Sequence, residues 1–163
     1  MHVAAVDAGI APSVWDAQQS NLSDPSWRLD FGKLYSFAGG EQSNVAKAVL
    51  YGSRPPANDS LWGIAKSKGF DVVVFDRNAA NKEKKIDTSI VADMVEDSYE
   101  LMNVNSDEVT LVSGDRDLVP AVEKLRKRGF RVDVAFWDHA AAELKAAAST
   151  FISLNRHLRH LAL

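Results

Sequence analysis

Apolar residues arrive in two rhythms along this chain, and the rhythms alternate. Five short runs read as strands, most of them nearly continuous in apolar residues: Val3 to Val6, Val45 to Tyr51, Phe70 to Phe75, Glu108 to Val112 and Phe130 to Phe136. Such runs are expected of strands buried on both faces, as in a parallel sheet covered by helices. Between them the apolar positions switch to a helical period. Ile90, Val91, Met94, Val95, Leu101 and Met102 form one stripe within Thr88 to Met102, with Asp97 and Glu100 turned outward. Val119, Val122 and Leu125 form a second stripe, which Gly129 stops as a C-terminal cap. Leu29 to Phe37 reads as a further helix with Asp30 near its start, and Ser20 to Trp27 as a surface loop. Ser53-Arg54-Pro55-Pro56 predicts a rigid turn, with Asn58 or Asp59 capping the helix after it. Alternating strands and helices imply βαβ units and a parallel sheet. Right-handed crossovers then bring every strand's C-terminal end to one edge, where ligands of such sheets bind.

Aspartates collect at that edge. Asp7 follows the first strand run, and Asp115 and Asp117 follow the fourth in SGDRDL. Asp87 lies four residues before Val91 and so extends the inward stripe of its helix by one turn. Asp93 lies off the centre of that stripe and is a secondary acidic candidate. Converging carboxylates repel one another, and a hard divalent cation such as Mg²⁺ or Mn²⁺ is the simplest way to keep them all ionised. Two-metal phosphodiester chemistry uses such a cluster. The plainer reading is local: Asp115 and Asp87 are each suited to capping a helix start. Asp115 and Asp117 cannot both serve as that cap, and only a non-helical start aims both inward.

Composition narrows the field. A chain of 163 residues, 46% hydrophobic and 25% charged, is expected to form one globular domain, over residues 1–155, with 156–163 as a tail helix or frayed end. The absence of cysteine excludes disulfides, thiolate zinc sites and a cysteine nucleophile. No window is apolar for long enough to span a bilayer and the N-terminus has no signal-peptide pattern, so the expectation is a cytoplasmic or nuclear protein. Net charge is −3, which argues against a uniformly basic nucleic-acid module. Basic residues are nevertheless clustered: Arg77, Lys82, Lys84 and Lys85 precede the Asp87 helix and are placed to hold backbone phosphates at the rim of an acidic crevice. A solvated charged loop is the plainer account of the same four. Arg126, Lys127, Arg128 and Arg131 form another group, and Arg156 and Arg159 sit in the tail. Trp15, Trp27 and Trp62 suit base stacking or, more simply, burial, and His157 and His160 lack a third partner for a metal site.

Lys84-Lys85-Ile86-Asp87, then IVADM at Ile90 to Met94, then LVSGDRDLVPAVEKLRKRGFRVDV together resemble the NYN domain of the PIN-like ribonuclease superfamily. The likeness runs from about Val45 to Leu154, with Val3 to Asp7 in addition. It implies a three-layer α/β/α fold on a central parallel sheet of strand order 3-2-1-4-5, and a Mg²⁺- or Mn²⁺-dependent ribonuclease. The family's metal-binding and catalytic acids fall on Asp7, Asp87, Asp115 and Asp117, with Asp93 matching a further acidic position. The chain departs from the pattern at Ile10, where the family carries Asn, and at Ser149, where it often carries Asp. Those departures give weight to an alternative, a catalytically weakened NYN-fold module that binds RNA or other proteins. Dimerisation is compatible with so small a chain, though no stretch fixes an interface. A haloacid-dehalogenase-type phosphatase needs an acid where Gly9 stands, and no phosphate-binding G-x-x-x-x-G-K loop or G-x-S-x-G elbow occurs.

Overall fold

The computed structural model describes residues 1–54, 60–76 and 82–163. At its centre is a parallel sheet of β3 (Glu108–Leu111), β4 (Arg131–Phe136) and β5 (Thr150–Ser153), with Val109 opposite Val132 and Val134 opposite Phe151. Successive strand residues face opposite sides. Val132 and Val134 accordingly join Leu118, Val122, Leu125 and Leu144 in one core cluster, whereas Ala135 joins Val3, Leu34, Leu154 and Leu161 in another. Helices α5 (Lys82–Glu100), α6 (Val119–Lys127) and α7 (Ala142–Ala147) cover the first face. The second is covered by α1 (His2–Asp7), α3 (Phe31–Gly39) and the residues after β5. The result is three layers, α/β/α, as expected.

β1 (Val49–Arg54) and β2 (Asp71–Asp76) pair in parallel as a separate sheet, Tyr51 opposite Val73. None of Val49–Ser53 or Val72–Phe75 is fully buried. α4 (Ser60–Ser67) packs on β2, and the Trp62 ring lies so close to Gly52 that a Cβ there would come within 2.2 Å of it. α5 packs against both β1 and β2 while Ile90, Val91, Met94 and Val95 pack on the Leu111–Val134 cluster, so one helix bridges the two sheets.

The expected first strand does not form. Residues 2–7 are a helix instead, and in place of the single sheet of order 3-2-1-4-5 the described residues form two sheets, β1-β2 and β3-β4-β5. A four-residue apolar run cannot be told from a buried helix by its pattern. Here Ala4 and Ala5 favour the helix, and Val3, Ala4 and Ala5 are all buried, Val3 and Ala4 against the cluster of Leu34, Trp137, Leu158 and Leu161. Tertiary contact outweighs the β preference of the two valines. Gly9, at φ 73°, turns the chain away, and the Ile10 and Ala11 amides both donate to the Ala5 carbonyl.

Other boundaries move less. The second expected strand begins at Val49 rather than Val45, after a 3₁₀ turn at Gln42–Asn44. Trp15 falls in a short helix, α2 (Val14–Gln19), capped by Ser13. Gly129 does end α6, at φ 96°, with the Phe130 amide donating to Leu125. The expected turn and cap at residues 55–59 lie outside the described residues. Beyond β5, Leu158 and Leu161 are buried and Ala162 bridges to Leu29. Among the described residues, no helix is long and apolar enough to cross a membrane.

Candidate functional site

The start of α5, the start of α6 and the start of α7 meet at one edge of the β3-β4-β5 sheet and leave a cleft of about 630 Å³ between them. Its lining is Asp87, Thr88 and Val91 from α5, Arg116 and Asp117 from the loop after β3, Val119 and Pro120 from α6, and Glu143 from α7. The SGDRDL loop is shaped by its small residue. A Cβ on Gly114 would stand 2.3 Å from the Phe136 ring and 3.2 Å from the Ala140 backbone, so only glycine allows this approach. The Gly114 carbonyl accepts from the Ala141 amide at 2.9 Å, which ties the loop to the start of α7.

Asp115 and Asp117 divide their tasks as local geometry requires. Asp115 caps a 3₁₀ turn, Arg116–Leu118, and its carboxylate accepts from the Asp117 amide at 2.9 Å. Asp117, inside that turn, lines the cleft, whereas Asp115 does not. The tighter 3₁₀ start directs Asp117 inward, in the way a regular helical start would not. Asp87 reaches the same cleft from α5.

Asp7 is not brought there. It closes α1, is exposed, and stands 3.5 Å from the exposed Arg159 guanidinium, a contact worth little in water. Asp93 turns to the other sheet, where the Tyr51 hydroxyl donates to its carboxylate. Burial, then the Asp93 carboxylate, push the Tyr51 phenol well above its usual range. One turn on, Asp97 pairs with Lys47 at 2.8 Å and holds that ammonium above its ordinary value. Of the basic group, Lys82, Lys84 and Lys85 lie in the first turn of α5, with Lys85 exposed, and Arg77 is outside the described residues. Trp27 packs edge-on to Trp137 and donates to the Leu158 carbonyl, while Trp15 is exposed.

Arg116 and Glu143 are cleft residues that sequence reasoning passed over. Glu143 carried a signal: once Thr150–Ser153 is read as a strand, AELKAA becomes its crossover helix and must start at the same edge. Oxygen donors of this kind suit a hard cation, and Mg²⁺ typically takes one or two carboxylates, the rest being water and substrate phosphate. Asp87 and Asp117 meet that need in type and number. Among the described residues no group of three His, Asp or Glu side chains closes into a metal-binding cluster.

Fold and site together define a parallel α/β domain with an acidic cleft at the C-terminal edge of its strands. The sequence profile of the NYN domain matches residues 13–155, and the chain belongs to the NYN domain family. This is a family of PIN-like nuclease fold whose members bind RNA and typically use divalent metals. The match begins after Asp7 and includes Asp87, Asp115, Asp117 and Glu143. A crystal structure of a protein of unknown function from Vibrio parahaemolyticus is similar in fold, with a TM-score of 0.67 at 21% identity over 91% of this chain and 88% of that one. No curated protein matches the chain.

Proposed function

We propose that the protein is a metal-dependent ribonuclease that hydrolyses RNA phosphodiester bonds in the cleft between α5, α6 and α7. The observation that carries the reading is the convergence of Asp87, Asp117 and Arg116 on one 630 Å³ cleft in a chain of this family. Asp87 and Asp117 are the residues that would hold Mg²⁺ or Mn²⁺, with Glu143 beside them and Asp115 setting the turn that presents Asp117. When bound, the ion supplies Lewis acidity to a phosphodiester and its attacking water. The chain's own part is placement. Arg116 offers a planar, permanently charged donor set to a phosphate, the exposed Lys85 on the first turn of α5 adds positive charge for the RNA backbone, and Val91, Val119 and Pro120 give the cleft an apolar wall.

Incubation of the purified protein with single-stranded and structured RNA, with Mn²⁺ or Mg²⁺ and with chelator, tests this. Cleavage is expected with metal, is lost with chelator, and falls at least a hundredfold in Asp117→Asn, on the order of a charge-stabilising group's usual share. Activity that survives Asp117→Asn belongs to a contaminant and sinks the assignment. A second reading has a specific basis: Asp7 lies outside the cleft and Asp115 is occupied as a cap, which leaves fewer acids than the family pattern supplies. RNA binding with no cleavage under any metal selects that reading, an RNA-binding module.

A further inference from the structure

Glu143 is a cleft acid for which the fold itself has no use. It lies exposed in the first turn of α7 and reaches the cleft from a different element than Asp87 and Asp117. Its helix is fixed on both sides. The Ala141 amide donates to the Gly114 carbonyl at 2.9 Å, and Lys145 donates to the Asp138 carbonyl with its ammonium 4.9 Å from the Phe151 ring centre. The base nearest along the helix is thereby committed elsewhere. Among the described residues Glu143 makes no ion pair and no side-chain hydrogen bond, and α7 has no side-chain cap. Nor does it close a metal cluster with Asp87 and Asp117, since no three acids among those residues come together in that way. An unshared carboxylate in a cleft that receives a polyanion weakens binding unless the strand itself brings a donor to it.

The chemistry of the carboxylate selects that donor. An ionised carboxylate accepts hydrogen bonds and donates none, so phosphate oxygens cannot satisfy it. A nucleic-acid strand offers donors of two kinds, the 2′-hydroxyl of ribose and the N–H groups of the bases. Arg116 lines the same cleft and engages the strand at a phosphate. In RNA a 2′-hydroxyl stands on the sugar beside every such phosphate, whatever the sequence, whereas base N–H groups change from one nucleotide to the next. We propose that Glu143 is the residue by which the cleft recognises ribose, its carboxylate accepting from a 2′-hydroxyl of the bound strand. DNA brings no such donor and leaves the acid unpaired among phosphates. This role rests on the cleft's being the nucleic-acid site, and it sets RNA apart from DNA there.

Fluorescence anisotropy of the full chain with labelled RNA, DNA and 2′-O-methyl RNA tests this, using single strands of one mixed sequence. Ca²⁺ replaces Mn²⁺ and the strands are checked to be intact afterwards, so binding is read apart from cleavage. RNA is expected to bind about tenfold or more tighter than either strand that lacks the donor, the share of one hydrogen bond to a charged group. Glu143→Ala removes most of that ratio, and Glu143→Gln, whose amide oxygen still accepts, retains part of it. Loss of the negative charge alone raises the affinity of all three strands together and leaves the ratio where it was. Thermal melting checks that the variants keep their fold, and the comparison of RNA with 2′-O-methyl RNA on the unaltered protein needs no variant. Equal affinity for the three strands, a ratio unmoved in folded Glu143→Ala, a preference that follows base identity instead of sugar, or binding of no strand overturns the role. An RNA preference that depends on Glu143 without cleavage under Mn²⁺ keeps it and overturns the ribonuclease reading, whereas cleavage with no such preference does the reverse.

Discussion

At the scale of single residues, the acids that look alike in the sequence are separated by what each one touches. Asp115 spends its carboxylate on the Asp117 amide, whereas Asp117 lines the cleft. Asparagine also caps, so Asp115→Asn is expected to keep its stability within a few tenths of a kcal/mol, while Asp115→Ala loses about 1 kcal/mol in urea unfolding. In the RNA assay the larger loss belongs to Asp117→Asn, and an equal loss in Asp115→Asn would mean that the cap also touches the reacting phosphate. Tyr51 and Asp93 make a contact of a different kind, one that joins β1 to α5. Removing the hydroxyl in Tyr51→Phe leaves a half-buried carboxylate short of a donor and is expected to cost about 1–3 kcal/mol. The phenol is raised in the folded state, so its contribution is complete below the unfolded value of about 10 and is lost as pH rises beyond it. The gap between wild type and Tyr51→Phe should therefore narrow in alkaline denaturation curves. A gap that widens above that pH contradicts the assignment.

Among the elements, the loop between β3 and α6 carries most of the site's geometry. Its glycine fits against Phe136 and Ala140 with no room for a methyl group. Gly114→Ala is expected to cost about 1–3 kcal/mol through overpacking and to lower cleavage along with stability, because the same loop presents Arg116 and Asp117. Denaturant midpoints and activity measured on one preparation check this, and a variant as stable as wild type would refute the close fit. Short helices here depend on such local devices. α3 begins where the Asp30 carboxylate accepts from the Gly32 and Lys33 amides at 2.8 and 3.0 Å, bonds that also hold Asp30 below its usual carboxylate range. Folding gains that preference above the unfolded pKa and loses it as pH falls through the folded one, so the loss of stability in Asp30→Ala, measured by urea unfolding at neutral pH, should fade in acid.

For the whole molecule, the division into two sheets has a dynamic consequence. The β3-β4-β5 sheet is covered on both faces and includes Val132, Val134 and Ala135 at 0% exposure, whereas the β1-β2 sheet has no fully buried strand residue among those described. A two-stranded sheet has little stability of its own. Amides of Val49–Ser53 and Val72–Phe75 are therefore expected to exchange with deuterium well before those of Val132–Phe136, and equal protection across both sheets would show that they open as one unit. The bridge between the sheets is α5, which carries Asp87 near its start.

The sequence by itself determined the parallel α/β class, four of the five strands, the helices at α3, α5 and α6, and the edge at which Asp87 and Asp117 meet. These follow from periodicities and turn residues that act over a few positions, so local pattern suffices. β5 was missed because Thr150–Ser153 is short and only partly buried, and with it went Glu143 at the start of its crossover helix. Only the tertiary structure decided the fate of Val3 to Val6. Its four apolar residues suit a strand or a buried helix equally, and the choice rests with Leu34, Trp137, Leu158 and Leu161, which come from distant parts of the chain. The position of Asp7 changes with that choice, since a side chain at the end of a segment goes where the segment packs. Asp93 and Asp115 were settled in the same way, by a tyrosine on another sheet and by an amide two residues on. Spacing places a carboxylate near an edge, and packing decides which group it faces.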